Sequence, residues 1–113
     1  MNEIQKQKID LLRGTLDLMI LRILELQSLH GIAIADRIRH GTKGTFHIQA
    51  GSLFPALHRL EQQGWIDGEW TTNDKARRIK SYRLTAAGKE QLSEERRTWA
   101  RVVAAVTQVL ELS

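Results

Sequence analysis

Residues 51–66, GSLFPALHRLEQQGWI, decide how this chain reads. Leu53, Leu57 and Leu60 recur at i, i+4 and i+7, the spacing that lays apolar side chains along one face of a helix. Ser52, His58, Arg59 and Gln62 fall on the opposite, polar side. Pro55 stands early enough that its missing N–H is expected to be one of the donors a helix leaves unpaired at its start. Gly64 is the expected C-terminal stop, after which the residues suit a strand. A short amphipathic helix handed straight to a strand is the pattern of a DNA-recognition helix followed by a wing. An ordinary surface helix would share the amphipathicity, so the surrounding segments must decide.

Upstream, Leu16, Met19, Ile20, Ile23 and Leu24 repeat at helical spacing, which makes Thr15 to Leu26 the expected central buried helix. Ile4 to Leu12 would be a short leading helix with Leu11 and Leu12 at its apolar end, set apart by Gly14. Gly31 marks a tight link to a further helix, Ile32 to Arg39, with Ile34, Ala35 and Ile38 towards the core and Gly41 and Gly44 as breakers. Thr45 to Ile48 is short and rich in β-formers, and suits an edge strand.

Downstream, Trp65 to Thr72 and Arg78 to Leu84 read as two strands joined by a polar Asn73-Asp74-Lys75 turn. Lys75, Arg77, Arg78, Lys80 and Arg83 crowd the turn and second strand, where Asp74 is the single acid. A surface ion pair contributes only ~0 to 1 kcal/mol, so stability does not explain the crowding, whereas an external polyanion would. Near the start of the quoted helix, Gln49, Ser52, Pro55 and Arg59 are expected closest to base edges and phosphates. Gln49 and Arg59 offer bidentate hydrogen bonds to bases, while Ser52 and the helix N-terminus suit phosphate. Lys75, Arg77, Arg78 and Lys80 are the expected source of sequence-independent affinity for double-stranded DNA.

Thr85 is a capping residue for a last helix, Ala86 to about Leu112, ~40 Å long at 1.5 Å per residue. Trp99, Val102, Val103, Val106, Val109 and Leu110 form an apolar stripe on it, with Leu92 one heptad upstream of Trp99. Exposed, each large side chain of the stripe would forfeit ~1.5 to 3 kcal/mol, and the rest of the chain is too short to cover it. A second copy is the expected cover, so residues 1–84 would bind DNA and residues 85–113 would form the dimer interface. Trp99 is also a candidate to line a pocket for a flat aromatic effector, against the plainer reading of interface core.

The chain has 113 residues, 42% of them hydrophobic, which suits one modest core and leaves no room for a separate catalytic domain. With 17 Lys and Arg against 13 Asp and Glu the net charge is +4, a balance compatible with nucleic acid. Cysteine is absent, which agrees with a reducing cytoplasm, the expected location. The first twelve residues lack an apolar signal region, and the run from Leu16 to Leu26 is interrupted by Asp17, Arg22 and Glu25, so neither secretion nor membrane insertion is expected. His30, His40, His47 and His58 lack zinc-site spacing. No nucleophile elbow, phosphate loop or paired-carboxylate motif occurs, and the expectation is a non-enzyme without metal or cofactor.

Helix, helix, short strand, recognition helix, two-stranded wing and long terminal helix make a mainly α winged helix-turn-helix with a dimerisation arm. The chain resembles the PadR-type transcriptional regulators, in the small subfamily with a single C-terminal helix. The resemblance lies in RGTLDLMILRIL (13–24), HGIAIADRI (30–38), GSLFPALHRLEQQGWI (51–66) and YRLTAAG (82–88). It implies a dimeric, commonly autoregulatory repressor of palindromic operators, released in some members by small aromatic ligands or drugs. The family usually carries Tyr at the positions of Phe54 and Ile32. The resemblance therefore implies for Phe54 a packing contact with the DNA backbone without the hydroxyl for a phosphate hydrogen bond. The competing reading is a winged-helix module that docks an acidic protein through its wing without binding DNA.

Overall fold

A computed structural model describes residues 3–113, with side chains from Gly14 onward. Four helices surround a small antiparallel sheet: α1 (Glu3–Leu26), β1 (Leu29–His30), α2 (Gly31–Gly41), α3 (Ala50–Gln62), β2 (Ile66–Thr72), β3 (Arg78–Leu84) and α4 (Ala86–Leu110). This is the expected mainly α winged helix-turn-helix. One core joins Leu16, Ile20, Leu21 and Leu24 of α1 to Ile34 and Ile38 of α2, Leu53, Leu57 and Leu60 of α3, and Ile66 and Tyr82 of the hairpin. The i, i+4, i+7 pattern of α3 is what brings its three leucines onto that core.

Several local expectations are corrected. The leading segment and the central helix are one continuous helix, α1, which runs through Gly14. A glycine inside a helix costs roughly 1 kcal/mol against alanine, less than ending one helix and nucleating another. The apolar end assigned to Leu11 and Leu12 lies outside the residues whose side chains are described.

Thr45 to Ile48 is not a strand. The segment follows a tight turn in which Gly44 N–H donates to the Arg39 carbonyl at 2.8 Å and Phe46 N–H donates to the Thr42 hydroxyl at 3.1 Å. It then plunges Ile48 into the core, which draws it away from any sheet edge. The edge position is taken by β1, whose Leu29 and His30 pair with Tyr82 and Ser81, giving the order β1-β3-β2. Gly31 is likewise no mere link. It opens α2, and a Cβ there would stand 2.9 Å from the Phe54 ring, so α2 and α3 pack this closely only around glycine.

Because α3 begins at Ala50, Pro55 falls in its second turn rather than among the unpaired donors at its start. The Gly51 carbonyl thereby loses its helical donor, on an exposed face where water can replace it. At the other end Gly64 takes φ +78°, the left-handed turn that sends the chain into β2.

Thr85 caps α4 as expected, its hydroxyl accepting from Gly88 N–H at 3.0 Å. The first turns of α4 pack on α1, and Leu92 is 1% exposed within the core. Leu92 is therefore not part of an outward stripe: at that height α1 still lies alongside α4 and covers it. From Trp99 onward α4 is no longer buried, and Trp99, Val102, Val103, Val106, Val109 and Leu110 are all exposed. Among the described residues no helix is long and apolar enough to cross a membrane.

Candidate nucleic-acid interface

The outward face of α3 is set by the burial of its opposite side. With Leu53, Leu57 and Leu60 in the core, Gly51, Pro55, His58 and Gln62 stand clear on the far side. Gln49 is the N-cap residue in extended conformation, and its side chain makes no capping hydrogen bond. Gln49 and Ser52 are both exposed at the helix entrance, where backbone N–H groups and the helix dipole favour an anion. Phe54, 43% exposed, stands on the flank that faces the wing.

Arg59 departs from the role expected of it. It lies on the other flank, where its Nη2 donates to Asp17 Oδ1 of α1 at 2.8 Å, and the two side chains retain 34% and 18% of their exposure. In this structure its guanidinium ties α3 to α1. His58 and Gln62 are better placed on the exposed face. Helical position was the available signal, since they stand about seven and eleven residues beyond Gly51 on the same stripe.

The hairpin pairs β2 with β3 in unbroken register from Ile66 opposite Leu84 to Thr72 opposite Arg78. Its tip is built by Asn73, whose side-chain oxygen accepts from the N–H groups of Lys75 and Arg77, both at 3.0 Å. Ala76 completes the turn at φ 58°. Lys75, Arg77 and Arg78 are exposed, and among the described residues none of the three has an acidic partner within ion-pair distance. Arg78 instead lies over Trp70, its guanidinium carbon 4.8 Å from the ring centroid.

Lys80 also departs from expectation. It is half-buried, and its Nζ donates to Glu61 Oε1 of α3 at 2.7 Å. The Glu61 hydrogen bond holds the ammonium above the ordinary lysine range, and so keeps it charged, against a smaller opposing effect of burial. The pair ties the wing to α3, and the charged ammonium is met by Glu61 in this structure. Arg83 pairs with Asp67 at 3.1 Å on the surface. The acids at the hairpin thus number four: Asp67 and Glu69 on β2, Asp74 in the turn, and Glu61, which the fold brings in from α3. Trp70, exposed beside this pair, was not singled out by sequence; its position opposite Lys80 was the signal.

At the far side of the molecule, Trp99 lines two shallow grooves between α4 and α1, of about 370 and 360 Å³. Leu18 and Val102 share the first with Glu95, and Arg22, Arg37 and Arg96 border the second.

Comparison with known proteins agrees with this architecture. The transcriptional regulator PadR-like family matches residues 20–94. A transcriptional regulator of Mycobacterium tuberculosis is 37% identical over 87 residues, covering 75% of this chain and 76% of that protein. A transcriptional regulator from Clostridium thermocellum superposes with TM-score 0.81 at 27% identity, over 88% of this chain and 96% of that one. A PadR family transcriptional regulator from Eggerthella lenta superposes with TM-score 0.79 at 30% identity, over 97% and 94%. With the recognition helix and the wing both inside the matched region, this chain belongs to the PadR-like family of transcriptional regulators.

Proposed function

We propose that this protein acts in the cytoplasm as a dimeric repressor that binds palindromic operators in double-stranded DNA. The observation that carries the dimer is the uncovered stripe of Trp99, Val102, Val103, Val106, Val109 and Leu110 on α4. Covering side chains of this size is worth ~1.5 to 3 kcal/mol each, and a second copy presents the same stripe in a self-complementary two-fold arrangement. Residues 1–84 then carry the DNA contacts and the helix that follows carries assembly, with Leu92 on the domain side of that division.

In this reading Gln49 and the exposed face of α3 read bases, and Ser52 with the α3 N-terminus binds phosphate. Phe54 and Pro55 pack on the backbone, and Lys75, Arg77 and Arg78 supply affinity without sequence preference. Two-fold symmetry sets the recognition helices about one DNA turn apart, ~34 to 36 Å, so the operator is an inverted repeat. A flat aromatic effector fits the apolar grooves beside Trp99, where it would alter the packing of the two α4 helices. Selection from a randomised duplex pool tests the reading, with an inverted repeat as the expected product. Recovery of no preferred sequence, or of a single asymmetric site bound by monomers, would overturn it.

A further inference from the structure

Between α3 and the wing lies a trough of about 390 Å³, walled by Phe54 and His58 on the helix side and by Trp70, Arg78, Lys80 and Tyr82 on the wing side. Trp70 is 56% exposed, which leaves much of a large apolar ring in water on a surface otherwise rich in charge. The two cations beside it differ. Lys80 is met by Glu61, whereas Arg78 has no acidic partner among the described residues and is held over the indole ring at 4.8 Å. The trough thus sets an apolar surface next to one unneutralised, pre-positioned guanidinium.

A DNA strand has the matching pattern, since deoxyribose carbons alternate with phosphates every ~3.4 Å of helix axis. We propose that the trough seats the sugar–phosphate backbone of one DNA strand, with Trp70 packed on a deoxyribose and Arg78 on the adjoining phosphate. The inference rests on the DNA-binding reading above and adds to it a non-ionic contact. Its signature differs from that of the wing cations: removing an apolar surface lowers affinity without changing the number of counterions released.

The test uses the full chain, a random-sequence duplex and the variants Trp70→Ala, Trp70→Phe and Arg78→Ala, titrated at several salt concentrations. Trp70→Ala is expected to bind about tenfold more weakly at every salt concentration with the wild-type slope, and Trp70→Phe to keep most of the affinity. Arg78→Ala should make the slope shallower by ~0.9. Saturating duplex should quench tryptophan fluorescence in the wild type and not in Trp70→Phe.

Unchanged affinity in Trp70→Ala, or quenching that persists in Trp70→Phe, overturns the proposal. So does a Trp70→Ala slope equal to that of Arg78→Ala with no further loss in the double variant, because Trp70 would then only hold Arg78. An equal loss on single-stranded DNA also overturns it, in favour of base stacking. If Trp70→Ala fails to fold, Trp70→Phe decides through the quenching. A wild-type chain that binds no duplex removes the DNA reading and the trough together, whereas wild-type binding with indifferent Trp70 variants removes the trough alone.

Discussion

Lys80 Nζ donates to Glu61 Oε1 across 2.7 Å, and this bond ties the third strand to the last turns of the recognition helix. The two side chains keep 25% and 31% of their exposure, so solvent still screens them, and the pair belongs near the upper end of the ~0 to 1 kcal/mol measured for surface ion pairs. Lys80→Ala is expected to lower the unfolding free energy by about 1 kcal/mol in urea titration. Its DNA salt slope should change less than that of Arg77→Ala, because the ammonium is already paired with Glu61. An unchanged urea midpoint together with a full unit of lost slope would show that Lys80 serves the DNA and not the wing.

Leu92 and Val106 lie on one helix and separate two functions. Leu92 is 1% exposed in the core and Val106 is 53% exposed on the stripe. Leu92→Ala should destabilise the fold by ~2 to 5 kcal/mol through lost burial and the cavity left behind. Val106→Glu should leave the core intact and yield monomers, since it sets a charge into the desolvated seam of the proposed dimer. Sedimentation velocity at micromolar concentration checks this, and a monomeric wild type would remove the dimer.

The fold was legible wherever the determining interaction is local. Leu53, Leu57 and Leu60 name the buried face of α3, Thr85 names a helix start, and the strands flanking Asn73 name the hairpin. What the sequence concealed depends on partners distant along the chain. Arg59 looked like a free cation because Asp17 lies 42 residues away, and Lys80 because Glu61 lies 19 residues away on another element. Leu92 fits a heptad with Trp99, but periodicity cannot show where α1 stops covering α4. The strand misplaced at Thr45 to Ile48 has suitable residues, and only the sheet reveals that Leu29 and His30 occupy the edge.

Glu95 should give stability a specific pH dependence. Burial is the main cause that pushes its carboxyl above the ordinary glutamate value of 4.5; the Gln91 amide opposes this and Asp17 adds to it. Its Oε2 has no hydrogen-bond partner among the described residues. The folded state disfavours the charged form. This group's stabilising contribution is therefore fully present below about pH 4.5 and is lost as pH rises through the raised folded value. Glu95→Gln should abolish that loss, so its melting temperature should gain on the wild type between pH 4 and pH 7. Parallel melting curves across that range would assign no such role to Glu95.

The division between base reading and backbone affinity can be tested on Gln49, Arg59 and the wing together. Gln49 stands exposed with no capping bond, so Gln49→Ala should cost ~1 to 3 kcal/mol on the selected operator and little on random DNA, if it reads a base edge. Arg77→Ala with Arg78→Ala should weaken every duplex alike and make the salt slope shallower by ~0.9 for each phosphate left unneutralised, with operator preference retained. Arg59→Ala should behave like neither. It removes the 2.8 Å bond to Asp17 that anchors α3, so the expected result is a loss of about 1 kcal/mol in urea unfolding, with the same ratio of operator to random affinity as the wild type. Quantitative gel shifts on operator and random duplex, paired with urea unfolding of each variant, check all three. If Arg59→Ala instead lost operator preference at unchanged stability, the Asp17 pair would have to open on DNA and free Arg59 for the bases.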